Sequence, residues 1–169
     1  SVKDHSIANL SQELICEMAA VKMMTGKGDL FVLGMYRPPN APFDETLALI
    51  AEALDTIPQN NCGICLVVDL NVDSLEDTNE KFLLRDLLAS YDIARLDLPP
   101  TRITNTSISS IDVVCNNLNN TMIDVDILTL AYPTIQDSYA LSSFLVDLKR
   151  TQHLATEPSP LVTWHFLKT

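Results

Sequence analysis

Apolar runs and amphipathic helix patterns alternate along the first half of this 169-residue chain. Residues 43–57 and 79–92 repeat apolar side chains at helical spacing, and the first of these segments opens with acids, which the helix dipole favours. Between them, the apolar sequence at 62–68 has the composition of a buried strand. This alternation, together with adjacent strand pairs, predicts an α/β protein with a mixed sheet or sheets.

Two strands at 13–21 and 29–36 are predicted to form a hairpin across Gly26-Lys27-Gly28, and the sequence "RPPNAP" that follows ends regular structure. A short strand runs into a polar loop after residue 94. Further strands are predicted at "IDVVCNN" (111–117), "MIDVDILTL" (122–130), "YALSSFLVDLKR" (139–150) and around Trp164 in the tail. No repeat or linker interrupts the chain, so residues 1–169 are expected to form a single domain.

Composition excludes two classes of protein. The chain carries 11 basic and 22 acidic residues, a formal net charge of -11. A protein that grips nucleic acid non-specifically needs clustered lysine and arginine to release counterions, so such a binder is disfavoured. The apolar runs are far shorter than the ~20 residues that span a bilayer, so no membrane partner is expected.

The cysteines and glycosylation signals leave the compartment open. Cys62 and Cys65 have the C-x-x-C spacing of redox and zinc sites, but no second pair or histidine follows at zinc spacing, so buried free thiols are predicted. N-x-S/T matches at Asn9, Asn105 and Asn119 permit secretion without arguing for it. An intracellular location is slightly favoured.

Polar residues follow the apolar strand at 62–68 without transition. Asp69, Asn71 and Asp73 come directly after the run. Such residues at a strand exit are typical of an active site at the edge of a sheet, and equally of an ordinary turn that short polar side chains cap.

Four segments in a fixed order carry a resemblance to a known family. They are "MYRPPN" (35–40), "VVDLNVD" (67–73), "PPTRIT" followed by "SSIDVV" (99–114), and "QDSYAL" (136–141). Over nearly the whole chain these segments resemble the endonuclease domain of non-LTR retrotransposons, in the endonuclease/exonuclease/phosphatase family. The resemblance implies a four-layered α/β sandwich and magnesium-assisted hydrolysis of a phosphodiester, in which charge on the phosphate must be neutralised.

The resemblance also implies roles for individual residues. Asp69 would orient the attacking water, and Asn71 would donate to the phosphate. Asp112 would sit beside them with Ser109, and Tyr36 would line the phosphate-binding cleft. Carboxylates suit such a site because they are hard oxygen ligands for magnesium and accept a proton from water.

The chain departs from the family pattern in two respects. Where the family has Ser-Asp-His, it reads Gln136-Asp137-Ser138: Asp137 matches the acid, but Ser138 cannot replace an imidazole. Loss of one electrostatic donor of this kind costs ~10²- to 10³-fold in rate. The family's first strands, which carry an Asn and the magnesium-ligating Glu, match nothing here, since Glu13 and Glu17 align with a later strand. A partial domain without the N-terminal strands and the main metal ligand is therefore expected.

Two functions follow from the resemblance and these departures. The first is an inactive domain, co-opted as a binding or self-assembling protein, whose exposed sheet a second copy or a protein partner covers. The alternative is a magnesium-dependent DNA endonuclease that needs its N-terminal portion, with DNA as its substrate. The acidic charge, Ser138 and the absent glutamate favour the first, and the metal ligands stay unassigned.

Overall fold

A computed structural model describes residues 2–5, 7, 10–25, 28–58, 60, 62–97, 100, 102–103, 108–118, 123–131, 140–148 and 161–165. The strands and helices follow one another in this order: β1 (Val2–His5), β2 (Glu17–Thr25), β3 (Gly28–Tyr36), α1 (Phe43–Asp55), β4 (Cys62–Asp69), α2 (Asn79–Ala89), β5 (Ala94–Arg95), β6 (Arg102–Ile103), β7 (Ile108–Ser109), β8 (Asp112–Asn116), β9 (Ile123–Ala131), β10 (Ala140–Leu148) and β11 (Leu161–His165).

The largest sheet has six strands in the order β1-β2-β3-β4-β8-β5. β3 and β4 are parallel, and α1 connects them, whereas the neighbouring pairs β2–β3 and β4–β8 are antiparallel. The predicted mixed sheet is thereby confirmed. A three-stranded antiparallel sheet, β11-β10-β9, and the short pair β6–β7 complete the strand pairing.

Both helices begin for local reasons. In α1 the apolar residues at helical spacing are buried, among them Leu49, Ile50 and Leu54. Acids occupy its first turn, where the exposed backbone N–H groups favour negative charge. At the start of α2 the hydroxyl of Thr78 accepts a hydrogen bond from the backbone N–H of Lys81 (3.2 Å), an N-cap that satisfies one free donor.

The central sheet is buried on both faces. One face packs with α1 in the main core, which includes Phe31, Leu33 and Leu66. On the other face, Val32 and Val67 are also buried. Strands covered on both sides read as continuous apolar runs, which is why "CGICLVV" carries no polar alternation.

Several predicted boundaries shift where the chain turns. The strand predicted at 13–21 begins at residue 17, because Gln12 and Cys16 close a tight turn in which Leu14 adopts a φ of 65°. The helix predicted at 79–92 ends at Ala89, and Asp92 adopts a left-handed φ of 56° just beyond it. The hairpin, the first helix and the strand around Trp164 at a sheet edge are confirmed. β1 was not predicted.

The C-x-x-C segment lies within a strand. Cys62 and Cys65 are free thiols, and residues three apart in a strand point to opposite faces. The prediction of buried free thiols is confirmed for Cys65, but it is wrong for Cys62, which is only half-buried at the start of β4. No helix among the described residues is long and apolar enough to cross a membrane.

Candidate functional site

Residues from four neighbouring strands align in one row at the end of β3 and β4. Tyr36 pairs with Asp69 between parallel β3 and β4, and Asp69 pairs with Asp112 between β4 and β8. On the far side, Glu17 of β2 pairs with Tyr36. Side chains of directly paired residues project from the same face of a sheet, so these four belong to one face.

The two aspartates at the middle of the sheet are fully enclosed. Asp69 is 0% exposed and Asp112 is 1% exposed. Burial of two carboxylates at neighbouring positions is costly unless charge or hydrogen bonds offset it. Tyr36 is half-buried and Glu17 is exposed, so the row passes from solvent to the interior.

The chain reverses direction immediately after β4. Asn71 adopts a left-handed φ of 52°, a conformation that asparagine tolerates better than most residues. Its backbone N–H donates to Oδ1 of Asp69 (3.3 Å), which closes an Asx turn. Its side-chain Nδ2 donates to the carbonyl oxygen of Arg37 (2.7 Å). The Asp-x-Asn motif therefore joins the exits of β3 and β4.

A second connection joins the loop after β4 to the start of β8. Oδ1 of Asp73 accepts from the backbone N–H groups of Leu75 and Ser110, both at 3.0 Å. Ser74 donates to the carbonyl oxygen of Ser110 through its backbone N–H (3.0 Å) and its hydroxyl (2.7 Å). Ser110 precedes Asp112 by two residues, so these bonds help to position the start of β8, and with it Asp112, next to β4.

The structure brings together most of the residues that the resemblance implies. Tyr36, Asp69 and Asp112 share one row, and Asn71 lies in the turn that follows it. Ser109 ends β7 and is half-buried, next to the buried Ser110. Asp137 and Ser138 lie outside the described residues.

Sequence reasoning overlooked three residues that shape this region. Arg37, although part of the "YRPP" sequence, is only 5% exposed, and its guanidinium donates to two backbone carbonyl oxygens, those of Ala41 and Leu70. In the sequence, only its position directly after an apolar strand distinguishes this arginine. In the sequence, Asp73 is only the last polar residue of the motif. The resemblance assigns Ser109 and not Ser110, because nothing local distinguishes adjacent serines.

The donors at the row are suitable for a magnesium ion. Asp69, Asp112 and Asn71 offer hard oxygen atoms, and Mg²⁺ is usually held by one or two carboxylates together with water and phosphate. Among the described residues, no group of three or more His, Cys, Asp or Glu side chains could hold a metal by themselves. Because Asp69 and Asp112 are 0% and 1% exposed, a cation at this row would be enclosed between the two carboxylates and would not meet a phosphate in solution.

Cysteine chemistry is disfavoured near this row. Burial raises the pKa of the Cys115 thiol, on β8, to about 12, and it raises the pKa of Cys65, on β4, to about 12 as well. Both side chains stay protonated at neutral pH, whereas a nucleophile or metal ligand must be a thiolate. Neither thiol is therefore available as a nucleophile or metal ligand at neutral pH.

Solved structures share this arrangement of strands and helices. The endonuclease domain of TRAS1, a telomere-specific non-LTR retrotransposon, superposes with a TM-score of 0.59 at 18% sequence identity, over 75% of this chain and 59% of that one. The chain has the endonuclease/exonuclease/phosphatase fold. Sphingomyelinase C from Streptomyces griseocarneus, with the same fold, matches with a TM-score of 0.51 at 16% identity, over 88% of this chain and 53% of that one.

An endonuclease/exonuclease/phosphatase family protein from Bacteroides thetaiotaomicron matches with a TM-score of 0.43 at 13% identity, over 74% of this chain and 50% of that one. The chain thus spans between half and three fifths of the length of these three structures. No protein-family model matches the sequence, and no curated protein matches it.

Proposed function

We propose that residues 1–169 form a domain derived from a retrotransposon endonuclease, of the four-layered sandwich type, that no longer hydrolyses phosphodiesters and acts as a binding or self-assembling protein. It keeps a site for a divalent cation at Asp69 and Asp112. The observation that carries this proposal is that the Asp-x-Asn motif is engaged in joining strands.

The hydrogen bonds of that motif explain its retention without catalysis. Asn71 donates its side-chain amide to the carbonyl oxygen of Arg37, and Asp69 accepts from the backbone of Asn71. A buried carbonyl that loses its donor costs the fold about 1–3 kcal/mol. Selection for stability would therefore preserve both side chains even after hydrolysis had been lost.

The sequence Gln136-Asp137-Ser138 supports the loss of hydrolysis. Asp137 would keep the place of the family acid, but the hydroxyl of Ser138 is neutral near pH 7 and cannot supply the charge of an imidazolium. Without that donor, the charge that develops on the phosphate in the transition state is less well stabilised.

Asp69 and Asp112 would hold the cation, with the side-chain oxygen of Asn71 beside them. A bound Mg²⁺ would supply positive charge at these carboxylates. The chain's own contribution is to enclose two carboxylates at neighbouring strand positions, where a cation offsets the repulsion between them when both are ionised. Since both side chains are buried, such a cation would join β4 to β8.

The proposal of self-assembly or a protein partner depends on what covers the edges of the sheet, because an edge strand presents unpaired backbone groups to another chain. Large apolar residues that are more than half exposed occur at separate places, Leu14, Met24, Leu75 and Ile108. Single exposed apolar residues are common on monomers, so they do not by themselves define an interface. Light scattering of the purified chain at low concentration is expected to show an oligomer, and a monodisperse monomer contradicts self-assembly.

A second candidate is a magnesium-dependent DNA endonuclease. The row of Tyr36, Asp69 and Asp112 favours it, because these are the residues to which the family resemblance assigns phosphate contact and catalysis, and they lie on one face. In this case Asp69 would orient the water that attacks phosphorus, and DNA would be the substrate.

Nicking of supercoiled plasmid with Mg²⁺ or Mn²⁺ separates the two candidates. We expect no nicking by the wild type, nor by Ser138→His. Metal-dependent nicking by the wild type would establish the endonuclease function if Asp69→Ala abolishes it and Asp77→Ala retains it. That result would overturn the proposal of an inactive domain. Asp77 is a suitable control because its carboxylate is exposed and pairs only with Lys81 among the described ion pairs.

A further inference from the structure

Arg37 contacts three consecutive residues at the exit of β4 through three different groups. Its backbone N–H donates to the carbonyl oxygen of Asp69 (2.9 Å). Its Nη1 donates to the carbonyl oxygen of Leu70 (2.8 Å). Its own carbonyl oxygen accepts from Nδ2 of Asn71 (2.7 Å). One residue thereby defines the path of the chain through the whole Asp-x-Asn turn.

The guanidinium makes further contacts. Nε and Nη2 of Arg37 both donate to the carbonyl oxygen of Ala41, at 3.1 and 2.8 Å. The ring of Phe43 lies 5.1 Å from the guanidinium carbon, and Oε1 of Glu80 lies 3.6 Å from Nη2. A planar fork of donors can reach two carbonyl groups at once, whereas a lysine ammonium cannot reproduce that geometry.

These contacts connect Arg37 to the carboxylate of Asp69. The left-handed backbone of Asn71 places its N–H on Oδ1 of Asp69, and Arg37 holds the residues on both sides of that hydrogen bond. Of these bonds, only the one from Nη1 to the carbonyl oxygen of Leu70 depends on the arginine side chain, because the other two use main-chain groups of residue 37. If the Nη1 bond were lost, Asn71 could leave the left-handed region and release Oδ1. The orientation of the Asp69 carboxylate therefore depends on a residue that directly follows a different strand, β3.

We infer that Arg37 is a positioning residue, which orients the Asp69 carboxylate for the divalent cation by clamping the turn from Asp69 to Asn71. The inference rests on the proposed cation site. Residues that orient a metal ligand from behind typically contribute 10- to 100-fold to metal affinity, so Arg37 is expected to contribute about that much.

Electrostatics alone predicts the opposite effect of removing this arginine. Loss of a positive charge near a cation site strengthens cation binding, because the repulsion between like charges disappears. Weaker Mn²⁺ binding by Arg37→Met would therefore indicate that the Asp69 carboxylate has lost its orientation. Because the two explanations predict opposite changes in the Kd, the measurement distinguishes them without an assay of hydrolysis.

The experiment measures the Mn²⁺ affinity of the whole chain by titration, with free Mn²⁺ read from its electron paramagnetic resonance signal. We expect Arg37→Met and Arg37→Lys to raise the Kd for Mn²⁺ by about 10- to 100-fold. Arg85→Met is the matched control, because Arg85 also lies 5.1 Å from an aromatic ring, that of Phe82, and pairs with an acid, Asp86, but is exposed. Its Kd is expected to match that of the wild type.

A control for loss of stability alone is Ile50→Val, a buried substitution in α1 that lowers the unfolding midpoint and is expected to leave the Kd unchanged. If Arg37→Met does not fold, Arg37→Lys decides. Wild-type affinity in folded Arg37→Lys overturns the inference and leaves the cation site standing. A wild type that binds no Mn²⁺ overturns the cation site, and the inference with it.

Discussion

Asp69 and Asp112 are direct partners across the antiparallel strands β4 and β8, and both side chains are buried. When both are ionised, opposed carboxylates on one face of a sheet repel each other. A divalent cation between them would remove that repulsion, and the pairing leads to a first prediction.

Mg²⁺ or Mn²⁺ is expected to raise the thermal unfolding midpoint of the wild type but not that of Asp112→Asn. A ligand that binds only the folded state stabilises it, by about 2.7 kcal/mol at a hundredfold excess over its Kd. Asp86→Asn, an exposed acid in α2, should respond as the wild type does. Equal midpoint shifts in Asp112→Asn and the wild type would place the cation elsewhere.

Substitutions of Asn71 should separate its hydrogen bond from its backbone conformation. Asn71→Ala loses the bond to the Arg37 carbonyl and keeps a left-handed φ, so it should lower the free energy of unfolding by about 2–4 kcal/mol. Asn71→Gly loses only the bond, since glycine adopts this φ without cost, and should be about 1 kcal/mol more stable than the alanine variant. Urea denaturation measures both, and a glycine variant less stable than the alanine variant contradicts the conformational argument.

Asp73 should matter far more to stability than its exposed neighbour Asp77. Asp73→Ala removes the acceptor of two backbone N–H groups, one of them in the segment before β8, and is expected to cost about 1–3 kcal/mol. Asp77→Ala breaks a surface ion pair with Lys81, which is worth at most about 1 kcal/mol. Similar urea midpoints for the two variants would mean that the Asp73 bridge does not hold the loop to β8.

Stability should fall as the pH rises above about 9. The pKa of an unfolded thiol is near 9, whereas burial raises the pKa of Cys65 and Cys115 to about 12. The unfolded state thus loses these protons first, so their contribution is complete below pH 9 and is lost progressively towards pH 12. The measurement is the free energy of unfolding against pH in the presence of a reductant.

Cys115→Ala is expected to make that slope shallower, because one thiol no longer ionises on unfolding. Cys62→Ala should change it less, since Cys62 is only half-buried and its pKa is raised less far. A slope that is the same in Cys115→Ala and the wild type would assign the alkaline loss of stability to other groups.

Periodicity predicted the elements that depend on local pattern. The helix at 43–57 and the strand at 62–68 appear nearly where expected, because apolar spacing reflects which face of an element is buried. The strand predicted at 13–21 begins only at residue 17. The turn before it depends on a backbone bridge between Gln12 and Cys16, which the spacing of apolar residues does not predict. The order of the segments around Asp69 and Asp112 also predicted the endonuclease/exonuclease/phosphatase fold, to which the similarity with the TRAS1 endonuclease domain points as well.

The sequence by itself determined which segments form helices and strands, the polar residues that follow β4 and the resemblance to an endonuclease. These properties depend on residues that are close together in the sequence. Only the tertiary structure decided that Asp69 lies opposite Asp112 and that Arg37 bonds to the turn from Asp69 to Asn71. Both facts join segments far apart in the chain. The physical reason is that strand pairing and the hydrogen-bond partners of a buried guanidinium are set by packing across the sheet, which local sequence does not specify.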